Sequence, residues 1–527
     1  MPPPPEALAR HRKQVDLIAA SVAAFHARGE KFRIFHGSTN STRASALGRD
    51  PKKVVDTSRL NHVLHIDVET MTALVEPNVP MDRLVEATLE VGLVPPVVME
   101  FPGITVGGGF NGTSGESSSF RHGFFNETLN SVEMVLADGS TITCSRESYP
   151  DLFHGAAGAV GTFGVTTLVE IQLRKATRYA EVTYHPVSST AEAISKIKTM
   201  ADPAGPLDYV DGIMFSPTSG AIITGTMNDR PSPNLPIQRF SAAKDPWFYL
   251  HAQARIAQPQ SGQPPWSEAV PLPEYLFRYD RGGFWVARAA FAYFPFTPFN
   301  RWTRRWLDDF LHTRMLYTAL HASGRSRDMI VQDLALPYAT AGEFVAFAEA
   351  RTGIWPLWLC PLRAGGGGES MHPHLRERGG EGEGMLNIGL WGPAPPPLTP
   401  EAFVAVNRDI EAKLRELGGM KWLYAQTFSS AREFWRDFDE GWYEGLRRKF
   451  GAEGLPSVYE KVRAVEKGRG GEGGVAGWIR WGGGVLAFAG CEGVEGRDWE
   501  WGLFEGEGES VAGVGEVGRG GCKGGWL

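Results

Sequence analysis

From Phe101 to Ser119 the chain reads Phe-Pro-Gly-Ile-Thr-Val-Gly-Gly-Gly-Phe-Asn-Gly-Thr-Ser-Gly-Glu-Ser-Ser-Ser, with glycine at 103, 107, 108, 109, 112 and 115. Glycine allows positive φ and lets backbone approach closely. Consecutive bare N–H groups of this kind can wrap a pyrophosphate, and Thr105, Thr113, Ser114 and Ser117 add hydroxyl donors without bulk. A second turn of similar composition, Gly37-Ser38-Thr39-Asn40-Ser41-Thr42, is expected to face it from the other side. No Gly-Lys-Ser/Thr follows the segment, so it is not a P-loop. Gly107-Gly108-Gly109 also gives no GxGxxG opening a helix with an acid about 20 residues on. The segment by itself fits either a turn-rich loop of a β-domain or a cradle for a phosphate-bearing cofactor.

Glycine elsewhere is unevenly placed: 22 of the chain's 64 fall within 468–527. Trp478, Trp481, Trp499, Trp501 and Trp526 lie there among Gly, Glu and Arg with neither helical nor strand period, so 466–527 is expected to be a disordered tail. The other residues of the 527 suffice for large buried cores. Lys and Arg total 53 against 60 Asp and Glu, and the net charge of −7 argues against a nucleic-acid binder. Cys144, Cys360, Cys491 and Cys522 form no CxxC pair, so neither a disulfide scaffold nor a zinc site is expected, and no metal is assigned. The longest apolar run near the N-terminus, 17–20, is far short of a signal core or a membrane span, so an intracellular protein is expected.

Periodicity divides the chain. Leu8, Val15, Ile18, Val22 and Phe25 mark a helix within 1–30. In 31–175, strands are expected at 31–35 and 72–76, a short strand and turn within 54–64, a helix at 81–91, and a hairpin at 131–143 about Asp138-Gly139, which together make an α+β domain. In 176–465, strands at 180–184, 220–227 and 385–390 alternate with helices at 191–200, 304–321 and 400–417. The Gly/Glu-rich stretch 363–384 reads as a surface loop. Nine aromatics between Phe284 and Trp306 suit core packing, or else an apolar substrate channel or membrane-facing lip.

Several segments occur in a telling order: the turn at 36–42, Val55-Asp-Thr-Ser-Arg-Leu60, Val75-Glu-Pro-Asn-Val79, the glycine segment, Arg121-His-Gly-Phe124, Val135-Leu-Ala-Asp-Gly139, Asp151-Leu-Phe153 and Gly161-Thr-Phe-Gly-Val-Thr166. This order resembles the FAD-binding domain of the p-cresol methylhydroxylase and vanillyl-alcohol oxidase superfamily. Lys244-Asp-Pro-Trp-Phe-Tyr249, Val331-Gln-Asp333, Ile354-Trp-Pro-Leu-Trp-Leu-Cys-Pro361, His372-Pro373, Asn387-Ile-Gly-Leu-Trp-Gly392 and Arg432-Glu-Phe-Trp435 resemble the second half of the Δ24-sterol reductases. The chain differs from animal and plant members in its N-terminal region, without their membrane segment, and at Glu274 to Arg281, where theirs is His-rich.

The resemblance implies an α+β fold, with a p-cresol methylhydroxylase-type FAD-binding domain at 31–175 and a substrate or cap domain at 176–465 whose last helices return to the first. It implies FAD held by Thr105, Val106, Gly107, Gly108, Gly109, Phe110, Asn111, Gly112, Thr113, Ser114, Gly115, Glu116 and Ser117. Gly37, Ser38, Thr39, Asn40 and Ser41 would form the facing turn, with Gly161, Gly164 and Val165 closing on the cofactor. Asn40 and Ser41 stand where relatives attach FAD through His or Cys, so non-covalent FAD is expected, His36 and His122 being the remaining attachment points. NADPH would reduce the FAD, and the substrate would be a sterol-like lipid, in the cytosol or in peripheral contact with the endoplasmic reticulum membrane.

Saturating an isolated alkene needs a hydride and a proton, and the proton requires a general acid near the carbon. Glu116, within the glycine segment, is the first candidate; Tyr279, Asp280, Asp333 and His372 are others. The competing reading is an FAD-linked oxidase that passes electrons from an alcohol, lactone or phenol to O₂. The His-Trp-x-Lys signature of the aldonolactone oxidases has no match here, since Met420-Lys-Trp-Leu423 has another order and no His.

Overall fold

The computed structural model describes residues 3–37, 53–257, 265–291, 297–323, 328–363, 369–375 and 384–464. Ser38, Thr39, Asn40 and Ser41 of the first turn, and the tail 466–527, lie outside them.

A helix, Pro5–Ala27, buries His11, Val15, Ile18, Val22 and Phe25 along one stripe. The stripe lies against a five-stranded antiparallel sheet, ordered Val63–Asp67, Thr72–Val75, Gly164–Gln172, Leu129–Leu136, Thr141–Ser145. The last two strands are the expected hairpin. Its Gly139 has φ +90°, and a Cβ there would lie 2.8 Å from both Ala19 O and Ala23 Cβ, so turn and helix packing both require glycine. A parallel pair, Arg33–Phe35 with Val54–Asp56, stands beside this sheet.

The second sheet has eight antiparallel strands, ordered Trp266–Pro271, Tyr179–Val187, Ser219–Asn228, Tyr209–Ser216, Leu357–Leu362, Met385–Pro393, Met329–Pro337, Met420–Lys421. Its strands alternate cleanly. Leu334, Leu336, Leu386, Ile388, Leu390 and Leu359 point to a core shared with helices Thr190–Met200, Tyr338–Thr352 and Pro400–Glu416. The intervening residues, among them Asp333, Asn387, Trp391 and Trp358, line a cavity on the opposite face. Helices Glu440–Lys449 and Val458–Val462 pack back into the core of the five-stranded sheet, where Tyr443 donates to Thr162 Oγ1 (2.9 Å) and Arg447 to Thr162 O (2.9 Å).

Two local expectations are corrected. The helix expected at 304–321 is broken into Arg301–Trp306 and Thr313–Ser323. Arg281 captures Asp308 between them (2.7 and 3.0 Å), while Asp280 accepts from the Thr313 hydroxyl and backbone N–H and pairs with His312, so buried tertiary partners override helical propensity. The stretch 363–384 is not wholly surface loop, because Ser370, Met371, His372 and His374 are buried, His372 edge-on to Phe124.

Candidate functional site

A cavity of about 410 Å³ joins the glycine segment to the apolar-and-polar face of the large sheet. That volume lies within the range of small-molecule and cofactor sites, roughly 300–1,000 Å³. Its walls change character along its length.

At one end lie Thr105, Gly107, Gly108, Gly109, Asn111, Gly112, Thr113, Gly161, Val165 and Thr166. The glycine segment is not the positive-φ loop expected from composition. It forms a short helix, Val106–Gly112, capped by Thr105, whose Oγ1 accepts from Gly108 N at 3.1 Å. Gly107 N donates to Pro77 O (2.7 Å) and Gly109 N to Thr105 O (2.8 Å), so these N–H groups are satisfied within the chain rather than bare. The glycines serve close packing instead. A Cβ at Gly107 would lie 2.6 Å from Pro77 Cβ, one at Gly109 2.6 Å from the Phe125 ring, and one at Gly115 2.4 Å from Leu362. Gly112 differs, for a Cβ there meets no protein atom within 4 Å although the residue lines the cavity. Positive φ falls on Gly161 (+69°) and on a non-glycine, Thr113 (+53°), which marks strain beside the cavity.

This end fits FAD. Asn111 spends its amide N–H groups on Gly107 O (2.8 Å) and Thr166 Oγ1 (3.2 Å), leaving Oδ1 buried with no partner; Thr113 Oγ1 is likewise buried and unpartnered. Buried polar atoms are rarely left so, and both belong to residues lining the cavity. Arg33 and Lys461 supply the lysine and arginine charge of the lining, and Lys461 also donates to Val160 O and Gly161 O (2.7 and 3.1 Å). A diphosphate is the group such cations would match.

Of the other residues expected to hold the cofactor, Ser114, Gly115 and Glu116 line the cavity, whereas Val106 and Phe110 are buried in the core behind it. Gly164 sits against Val135 O, where a Cβ would lie 2.6 Å away. Ser117 is buried and accepts from Arg278 at 3.4 Å, and Gly37 does not line the cavity. His36 lines it; His122 does not, and instead faces Arg174 at 3.0 Å with its pKa pushed down to about 4 by burial and that guanidinium.

Two acids of the lining, Glu100 and Glu116, are paired. Glu116 Oε1 accepts from the Ser114 hydroxyl (2.8 Å), and Glu116 hydrogen-bonds to Glu100. Glu100 Oε1 and Glu116 Oε2 find no donor elsewhere in the protein. Burial raises both pKa values, and the neighbouring Glu100 carboxyl raises that of Glu116 further. The nearby buried Arg278 is committed to Asp211 (2.9 Å), which also accepts from Tyr279 (2.7 Å) and Trp358 (3.1 Å), and it stays 3.9 Å from Glu100. A proton held between the two glutamates satisfies both orphaned oxygens, as in other close carboxyl pairs.

The far end is apolar: Phe101, Phe284, Leu316, Tyr317, Met329, Val331, Trp358, Trp391 and Trp422. Phe284 stacks on Tyr279 (3.9 Å between centroids) and meets Trp391 edge-on (4.3 Å). One acid interrupts this wall. Asp333 accepts from Tyr424 Oη (2.7 Å) and Asn387 Nδ2 (2.9 Å), and burial pushes its pKa up to about 6.

Among the acid candidates read from sequence, Glu116 and Asp333 therefore line the cavity, while Tyr279 and Asp280 are tied up behind it and His372 lies away from it. Sequence reasoning missed Glu100, Asn387, Tyr424, Arg33 and Lys461. Glu100 had a signal: it is a lone acid closing the apolar run Val97-Val-Met, one residue before the segment singled out.

Comparison with known proteins agrees with this geometry. Residues 5–145 match the family model of an FAD-binding domain. The chain is 28% identical to Delta(24)-sterol reductase of Homo sapiens over 467 residues, 86% of each chain, and 29% identical to that of Arabidopsis thaliana over 442 residues, 78% of this chain and 77% of the relative. It is also 34% identical to cytokinin dehydrogenase 9 of Oryza sativa subsp. japonica, but over 147 residues, 27% of each. The chain thus carries an FAD-binding domain of the p-cresol methylhydroxylase type and is a distant homologue of the Delta(24)-sterol reductases, an FAD-linked oxidoreductase with an α+β fold.

Proposed function

We propose that the protein saturates a carbon–carbon double bond in the side chain of a sterol or related lipid, with NADPH as the source of the hydride. The observation that carries this reading is one cavity lined by a cradle fit for FAD, a buried carboxyl pair and an aromatic wall. The length of the match to the sterol reductases, far beyond the FAD-binding domain, supports it.

Thr105, Gly107 to Gly109, Asn111 to Glu116, Gly161 and Val165 would hold FAD, with Arg33 and Lys461 toward its diphosphate, and Val106, Phe110, Ser117 and Gly164 shaping the backbone behind. When bound, FAD supplies hydride transfer from NADPH to carbon. Burial and the neighbouring Glu100 carboxyl both disfavour charge on Glu116 and favour its protonated form. It is the general acid for the alkene. The rings of Phe284, Trp358, Trp391 and Trp422 exclude water, so a carbon gaining positive character meets π faces rather than a nucleophile. Asp333, whose pKa of about 6 leaves it largely ionised at neutral pH, adds a negative charge in the same cavity.

An ionised Asp333 would equally serve as the base of an alcohol oxidase, so the test separates the two. The protein is mixed anaerobically with NADPH, then with a Δ24-sterol, and then with air. Bleaching of the flavin by NADPH, a saturated side chain, and no peroxide are expected. Bleaching by an alcohol or lactone, with peroxide on admitting air, would establish the oxidase instead.

A further inference from the structure

The aromatic-rich stretch does not serve one purpose. Phe284 is buried in the cavity wall and Trp285 in the core next to it, but Trp302 and Trp306 are 63% and 78% exposed, on the short helix Arg301–Trp306. They stand four residues apart and so share one face. Arg301 and Arg305, also four apart and exposed, form the adjoining stripe, and exposed Arg288 lies over Phe299 nearby. The arrangement is held rigidly. Asn300 Oδ1 accepts from Trp302 N (2.9 Å) and Thr303 N (3.1 Å), and Phe299 plugs inward against Phe291 (5.1 Å) and Trp247 (5.7 Å), with Arg304 over its ring (4.8 Å). Phe299 thus faces in while both tryptophans are kept out in water, although a soluble surface ordinarily avoids presenting such rings together. Acidic neighbours do not cancel the charge: Asp308 is buried on Arg281 and His312, which leaves exposed Asp309.

From this geometry we infer that Arg301–Trp306 is a docking surface for an anionic lipid bilayer, the tryptophans entering the headgroup region and the arginines pairing with lipid phosphate and carboxylate. Charge complementarity selects the partner, since indole and guanidinium on one face match an interface that is apolar below and negative above. The helices on either side in sequence, Ala287–Phe291 and Thr313–Ser323, contribute Ala289, Leu316 and Ala319 to the cavity wall. Docking here therefore sets the cavity beside the bilayer, a source of any lipid substrate. The inference does not depend on which reaction the cavity performs.

The test is flotation of the full chain with vesicles of phosphatidylcholine containing about one-third phosphatidylserine, against phosphatidylcholine alone. Flotation with the anionic vesicles, weakened by salt, is expected. Arg301→Gln and Arg305→Gln should each weaken it about fivefold. The double variant Trp302→Ser/Trp306→Ser should weaken it about tenfold or more, with flavin content and melting temperature unchanged as the folding control. No flotation, or flotation indifferent to these substitutions, would overturn the inference. So would concentration-dependent dimerisation that the tryptophan variant abolishes while vesicles are ignored, because the face would then be a contact between copies of the chain.

Discussion

Gly112→Ala and Gly109→Ala make the same chemical change three residues apart, and the geometry gives them opposite outcomes. At Gly109 the new methyl would stand 2.6 and 2.8 Å from two Phe125 ring atoms and 2.9 Å from Met99 Cε. Carbon contacts relax to about 3.5–4.0 Å, so the ring must retreat by roughly 1 Å. Phe125 is fully buried, and such overpacking costs about 1–3 kcal/mol. Gly109→Ala should therefore lower the melting temperature of the flavin-free protein. At Gly112 the methyl meets nothing within 4 Å and φ is not positive, so the flavin-free protein should be unchanged, or up to about 1 kcal/mol more stable from a less flexible unfolded chain. The space it enters belongs to the proposed cradle. One misplaced methyl in a fitted pocket is worth about 1–3 kcal/mol, so FAD affinity should fall roughly 10–200-fold. Thermal melts of the flavin-free proteins and titration with FAD read the two quantities separately. Undiminished FAD affinity in a folded Gly112→Ala protein would refute the assignment of this end of the cavity to the cofactor.

Four further outcomes follow from the same geometry. Glu116→Gln should slow alkene reduction by about 10²–10⁴-fold while leaving flavin bleaching by NADPH intact, as single-turnover mixing will show. With Glu116 present, the rate should fall as pH rises through the pair's upper titration; Glu100→Gln removes the neighbour that keeps Glu116 protonated and should move that fall to lower pH in the pH–rate profile. Asp333→Asn should melt above the parent protein at pH 8. Burial raises the folded pKa from 3.8 to about 6, so the parent carries a penalty of about 3 kcal/mol above that pH, relieved as pH falls from about 6 to 3.8. Burial acts to lower the pKa of His11, yet its bonds to Glu133 (3.2 Å) and Glu76 (2.9 Å) hold it up at about 9. The stability it lends is complete below about 6.5 and vanishes as pH rises through 9, so hydrogen-exchange protection along Pro5–Ala27, referenced to the intrinsic exchange rate at each pH, should fall over that window in the parent but not in His11→Ala.

Local chemistry carried much of the architecture. The stripe Val15, Ile18, Val22, Phe25 and the Asp138-Gly139 turn need only neighbours in sequence to declare themselves, and both elements stand where periodicity placed them. The glycine segment was recognisable as a site of close approach, but composition could not say what would approach. Phe125, Pro77 and Leu362 take up Gly109, Gly107 and Gly115, while Gly112 remains open. The 304–321 helix failed for a related reason: its break is made by Arg281 and Asp280, which lie outside any helical window.

Glu116 and Asp333 were legible as candidate acids, but the partners that give them their chemistry were hidden for a deeper reason. Period-two alternation in Met329–Pro337 and Met385–Pro393 already puts Asp333 and Asn387 on the face opposite the Leu and Ile core, and a polar residue on the inward face of a strand is costly unless something pairs with it. The pattern therefore signals that partners exist without naming them. Asp333 and Asn387 pair with each other across adjacent strands 54 positions apart, and Tyr424 completes the set from 91 positions away. Glu100 is the harder case. It lies next to a motif whose glycines draw the attention, and its meaning comes from Glu116, 16 residues later on the far side of a helix that composition did not foretell. A carboxyl becomes a proton donor through burial and a like-charged neighbour. Both are properties of the assembled cavity, and so the same residue reads as one more surface acid until the two ends of the glycine segment are folded together.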